Sequence, residues 1–214
     1  MPSREEILAG LSWAANEAFL LAVLWHVVIA GGAIAVALGW RPSRRLAGMM
    51  LSVPLVSVSA VALGVGNPFN ALVFCVLAVA LVLLALTAEG RVTRGPSWAA
   101  AIGVGMLGLG YAYPHFLENG SLLAYLVGAP VGIVPCATLS LVIGAGLLSG
   151  GLYRRAWSIV LALAGLFYGV VGVVRLGVAL DLLLVLGAAA LLVLALRPSP
   201  SAARARSDRP AGVR

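Results

Sequence analysis

Pro135, Cys136, Ala137 and Thr138 stand together inside a nearly unbroken apolar run from Ser121 to Gly151. A thiol next to a hydroxyl can bind a soft metal, exchange with a disulfide or line a polar path. Proline removes a backbone donor, and in hydrocarbon the carbonyl it frees needs another partner. Pro135 is therefore expected to interrupt the outer half of an apolar segment, with Cys136 and Thr138 turned toward an outward-facing cavity. A packed proline kink with two small neighbours is the alternative. Asp181 is the second group of interest, because a carboxylate one or two turns inside an apolar segment must pair, take up a proton or face water. Arg175, six residues earlier, is its expected ion-pair partner.

Other polar residues cluster near the same end of the chain's apolar segments. Asn67 belongs to the turn "NPFN", where asparagine and proline have ordinary turn roles. His115, in "YAYPHFLEN", adds a titratable, metal-competent group beside Glu118, while Tyr111 and Tyr113 have the aromatic character of a membrane interface. His26 is expected deeper, as a hydrogen-bonded packing residue. Glu17 precedes it by nine residues, which on one straight helix puts the two on opposite faces. Cys75 is the only other cysteine and the only partner available to a dithiol mechanism.

These side chains must be positioned by helices in lipid. The chain is 62% hydrophobic and 10% charged, against roughly 25% charged in an average soluble domain. Apolar stretches of about 20 residues recur, each long enough to cross a bilayer core. Seven segments are expected: 14–38, 46–66, 70–88, 98–114, 131–150, 156–174 and 177–196. Residues 121–130, broken by glycine and proline, are expected to be interfacial or re-entrant. The fold is thus an all-α, polytopic bundle over 1–196, followed by a disordered basic tail at 197–214.

All fourteen basic residues are arginine. The absence of lysine excludes a retinal Schiff base. Twelve of the arginines fall after the first, third, fifth and seventh segments, and only Arg4 and Arg175 fall elsewhere. By the positive-inside rule the N-terminus is outside and the C-terminus inside. This distribution argues for topology and against nucleic acid as a partner. The tail is expected to meet anionic lipid headgroups. At the other end, Ser3 and Glu6 fit a capping box that opens a short interfacial helix, and the first apolar segment is expected to be retained.

The order of short motifs resembles an uncharacterised family of bacterial seven-helix membrane proteins with a Pro-Cys-Pro-Thr signature. The matching residues are Asn16-Glu17-Ala18, Asn67-Pro68, Tyr113-Pro114, Pro135-Cys136-Ala137-Thr138 and Asp181. Ala137 replaces the second proline of the signature, and the family's Gly-His pair before it has no counterpart in "ENGSLLAYLVGAP". The resemblance implies a seven-helix fold with the outer ends of segments 1, 3, 5 and 7 as neighbours. It implies no substrate or reaction.

The expectation is a multi-pass protein of the bacterial inner membrane with lipid as its main partner. As a small-solute transporter or membrane-embedded binding protein, it would use Cys136, Thr138, Asp181, Arg175, Asn67, His115 and Glu17 around an outward-facing site. The alternatives are an accessory subunit packed against other membrane subunits, and a thiol-redox or soft-metal protein using Cys136. No Cys-x-x-Cys, histidine-rich tract or phosphate loop is present, so the balance is toward a non-enzyme without a cofactor.

Overall fold

The computed structural model describes residues 3–118 and 121–197. The expected basic tail, apart from Arg197, lies outside the described residues. Among the described residues the chain is helical throughout, with nine α-helices and no strand. They are α1 (Arg4–Glu17), α2 (Phe19–Ala37), α3 (Arg44–Gly64), α4 (Pro68–Leu86), α5 (Ser97–Tyr111), α6 (Leu122–Gly128), α7 (Pro135–Leu148), α8 (Arg155–Val170) and α9 (Asp181–Leu196). A 3-10 turn, Gly150–Tyr153, precedes α8 and a π turn, Val171–Arg175, extends it.

Four helical stretches are long and apolar enough to cross a membrane: Phe19–Ala37, Arg44–Gly64, Pro68–Leu86 and Arg155–Arg175. This is a membrane protein, and its apolar outer surface meets lipid. The other apolar helices, α5, α7 and α9, have 15, 14 and 16 residues. At 1.5 Å per residue, α7 is only about 21 Å long. It can be short because protein surrounds it. Every residue of α7 except Ala145 and Leu148 is buried, as is the coil 129–134 that leads into it.

Local chemistry sets the helix ends. The capping box forms as expected, with Ser3 N–H donating to Glu6 at 2.7 Å and Glu6 N–H to the Ser3 hydroxyl at 3.2 Å. The segment expected to run unbroken from Ala14 to Leu38 is instead divided at Ala18 (φ −94°, ψ 22°). Asn16 accounts for the division. Its amide donates to Ser12 O at 2.7 Å and Phe116 O at 3.0 Å, and its carbonyl accepts from Glu118 N–H at 3.1 Å. These bonds tie α1 to the loop after α5, while α2 continues separately. The straight-helix geometry relating Glu17 to His26 therefore does not apply.

Pro135 also departs from expectation. It occupies the first turn of α7, where a proline's missing N–H costs nothing, so it starts a helix rather than kinking one. Residues 122–128 form α6, a separate short helix capped by Ser121. Around α7, α5 packs so closely that Gly103 and Gly110 face its backbone, where a methyl group would collide with Gly144 O and Ala137 O. Gly165 and Gly169 of α8 give the same proximity to Ala188 and Val185 of α9.

Candidate functional site: a buried carboxyl held by a phenol and a thiol

Three helices meet at Asp181. The residue opens α9 instead of lying one or two turns inside it, because Gly177 (φ +66°) turns the chain first. Its side chain is 1% exposed. Tyr113 O–H donates to Asp181 Oδ1 at 2.6 Å, and Cys136 S–H to Oδ2 at 3.1 Å. Tyr113 is fully buried just past the end of α5, and Cys136, 7% exposed, sits in the first turn of α7. Both oxygens of the buried carboxyl are thus met by protein donors, as a polar group in this setting requires.

The expected ion pair with Arg175 gives way to these neutral donors. Arg175 is exposed at the end of the π turn, and that turn contributes something else to the site. Its Gly172 lies directly against the Asp181 carboxyl, so close that a β-carbon there would overlap Oδ2. Gly172 O also accepts from Val178 N–H at 2.9 Å. The extra residue of a π turn, a motif common at functional sites, thereby brings bare backbone onto the carboxyl.

Thr138 has a different task from the one expected. It is wholly buried, and its hydroxyl accepts from Gly132 N–H at 2.8 Å while donating to Val134 O at 2.8 Å. It locks the coil before α7 and offers nothing to a cavity. Gly132 (φ +74°) is required in that coil, since a side chain there would strike the Trp25 indole, whose N–H donates to Ser57 Oγ at 3.1 Å.

A cavity of about 400 Å³ reaches Pro135, the residue before Cys136. Its wall includes Glu6 and Trp13 of α1, Asn67, Asn70, Ile133 and Pro135. Pro135 is part of that wall and Cys136 is not. Asn67 caps α4 by accepting from Asn70 N–H at 3.0 Å. Asn70 Oδ1 accepts from the phenol of buried Tyr168 at 2.9 Å, and Gly169, the next residue, packs on the backbone of Asp181. A line of polar and close-packed groups thus leads from the cavity wall to the carboxyl.

The remaining sites are peripheral. Glu17 is exposed at the end of α1. His115 packs edge-on against Phe116 at 4.3 Å, and Phe116 stacks parallel to Tyr113 at 6.1 Å, so the histidine supports the site through two aromatic rings. His26 is buried as expected, with its nitrogens 2.8 Å from Ala22 O and 2.7 Å from Tyr111 O. The cysteines are both free, Cys75 exposed and Cys136 buried. Among the described residues no group of three or more His, Cys, Asp or Glu side chains could hold a metal ion.

Sequence reasoning singled out Cys136 and Asp181 but missed Tyr113, Gly172 and the Asn70–Tyr168 bond. The "YP" that closes the fourth segment was a usable signal for Tyr113. Gly172, one of 26 glycines, carried none. No family model, curated protein or solved structure matches the chain.

Proposed function

We propose that the chain is a seven-span protein of the bacterial inner membrane, N-terminus outside, that binds or transports a small solute at its outer end. The observation carrying this reading is Asp181: a carboxyl buried at the head of an apolar helix, met by Tyr113 and Cys136, beside a cavity of about 400 Å³. Ionisable groups at membrane depth are costly and characteristically mark solute or proton pathways. Each of the seven apolar segments contains one helix, α2 to α5 and α7 to α9, and the arginine distribution supports the orientation.

A thermal-stability screen of small solutes in detergent tests the function. A solute that stabilises the native chain but not Asp181→Asn supports it. Stabilisation unaffected by Asp181→Asn, or by no solute class at all, counts against it. Reporter fusions at Arg45, Arg94 and Arg155 test the threading, which requires all three in the cytoplasm.

A second reading, an accessory subunit of a larger complex, has its own support. Only Ala22 and His26 of α2 are buried, and Gly31 and Gly32 face open space. Small residues on an uncovered helix suit close packing by another helix. Purification from native membrane distinguishes the two, since a subunit co-elutes with partners in fixed proportion.

A further inference from the structure

α1 is fastened near both of its ends. At its C-terminal end Asn16 bonds to Ser12 O, Phe116 O and Glu118 N–H. Ala14 and Ala15 beside it are the only buried residues of the helix. At the other end the guanidinium of Arg4 lies on bare backbone at Gly177, where a β-carbon would come 2.6 Å from Nη2. Arg4 is exposed, so this second fastening is at the surface. Between the two, Ile7, Gly10, Leu11 and Trp13 give α1's share of the wall of the 400 Å³ cavity, and Val58, Val61, Ile133 and Pro135 belong to the rest of that wall. A helix bordering a void forgoes the dispersion contacts that a filled core supplies.

Both fastenings lead to the carboxyl. Phe116, whose carbonyl accepts from Asn16, stacks parallel to Tyr113 at 6.1 Å, and Gly177 precedes Asp181 by four residues. The helix is also a unit of its own. Ser3 and Glu6 cap its start without help from the bundle, and Ala18 (φ −94°, ψ 22°) separates it from α2. A few element-terminal residues are enough to serve as a hinge. We propose that α1 is a gate over the cavity that reaches Pro135, pivoting at Asn16 and Ala18 and latched where Arg4 meets Gly177. In the closed position Val58 is fully buried in the cavity wall. Lifting α1 opens the cavity and uncovers the turn that leads into Asp181, as lids do when they admit a ligand. This role rests on the reading that the site around Asp181 takes a solute. The movement of α1 is measured with no solute present, so a fixed α1 and a failed solute screen are separate results.

A cysteine placed in the cavity wall tests the gate. In the full chain carrying Cys75→Ser, in lipid nanodiscs, Val58→Cys should react with uncharged N-ethylmaleimide only while α1 is lifted, and peptide mass identifies the labelled site. Arg4→Gln should raise that labelling rate about fivefold, the shift in population for losing one surface contact. Glu5→Gln, an exposed neighbour on the same turn, should change it by less than about twofold. Equal rates with and without Arg4 would overturn the gate, as would equal acceleration by Glu5→Gln. Labelling of Val58→Cys as fast as that of Leu63→Cys, which is 68% exposed on α3, would show a cavity open without any movement and overturn it too. Spin labels at Glu5→Cys and Leu63→Cys, both surface positions, keep the test open if Val58→Cys does not fold. Their distance distribution should contain a longer component that Arg4→Gln enlarges. A single distance unchanged by Arg4→Gln would make α1 a fixed anchor.

Discussion

Asp181 takes one hydrogen bond from Tyr113, just past α5, and one from Cys136 of α7, and the two donors can be removed singly. Tyr113→Phe keeps the ring and its stacking on Phe116 but leaves Oδ1 without its donor. Such a loss at a buried acceptor costs about 1–3 kcal/mol, readable as a lower unfolding midpoint in detergent. In the Asp181→Asn background the same change should cost a different amount, because groups sharing one network are not additive. The thiols give a separate test. Cys75 is exposed on the apolar face of α4 and Cys136 is closed in beneath Asp181. In detergent a maleimide should modify Cys75 slowly, since a thiol facing an apolar phase is little ionised, and Cys136 only after denaturation, a difference that Cys75→Ser and Cys136→Ser variants resolve by mass. This reverses the expectation that Cys136 faces an outward cavity.

At the scale of elements, the π turn after α8 and the coil before α7 do most to shape the site. Gly172→Ala places a methyl group on the Asp181 carboxyl, and overpacking of this kind costs about 1–3 kcal/mol. Gly105→Ala, in a helix with nothing within 4 Å, should instead be neutral or stabilising by up to about 1 kcal/mol. Paired thermal-denaturation measurements separate a specific contact from a general intolerance of alanine. Thr138→Val removes both bonds that the hydroxyl makes to the coil. It should destabilise the fold more than Thr138→Ser, which retains the hydroxyl; equal losses would dissociate the coil from that hydroxyl. The helices themselves were legible in sequence, because apolar length and arginine spacing report directly on crossing a bilayer. Their interruptions were less so. Pro135 looks the same in a string whether it kinks a helix or begins one, and only the path of the preceding coil decides.

For the whole molecule, the legible part was the lipid-facing exterior and the illegible part was the contact map inside it. Cys136 and Asp181 stood out as polar residues in apolar segments, but their meeting depends on α5, α7 and α9 converging over 68 residues of chain between Tyr113 and Asp181. Arg175 was the nearer charge in sequence, whereas the donors on the carboxyl are Tyr113 and Cys136, 68 and 45 residues away. The burial of α7 on nearly all sides has a consequence for biogenesis. A helix of 14 residues that leaves the ribosome before α8 and α9 exist has no completed protein surroundings. Until they arrive, α5 covers one side of α7 and Thr138 has its bonds to Gly132 and Val134, but Cys136 lacks Asp181. Assembly of the site around Asp181 is therefore a late event, because Gly172 and Asp181 come with the last two helices. A chain ended after Arg154 should insert its earlier helices yet be degraded faster than the full chain in pulse-chase experiments. Supplying α8 and α9 as a separate polypeptide in the same membrane should restore its lifetime.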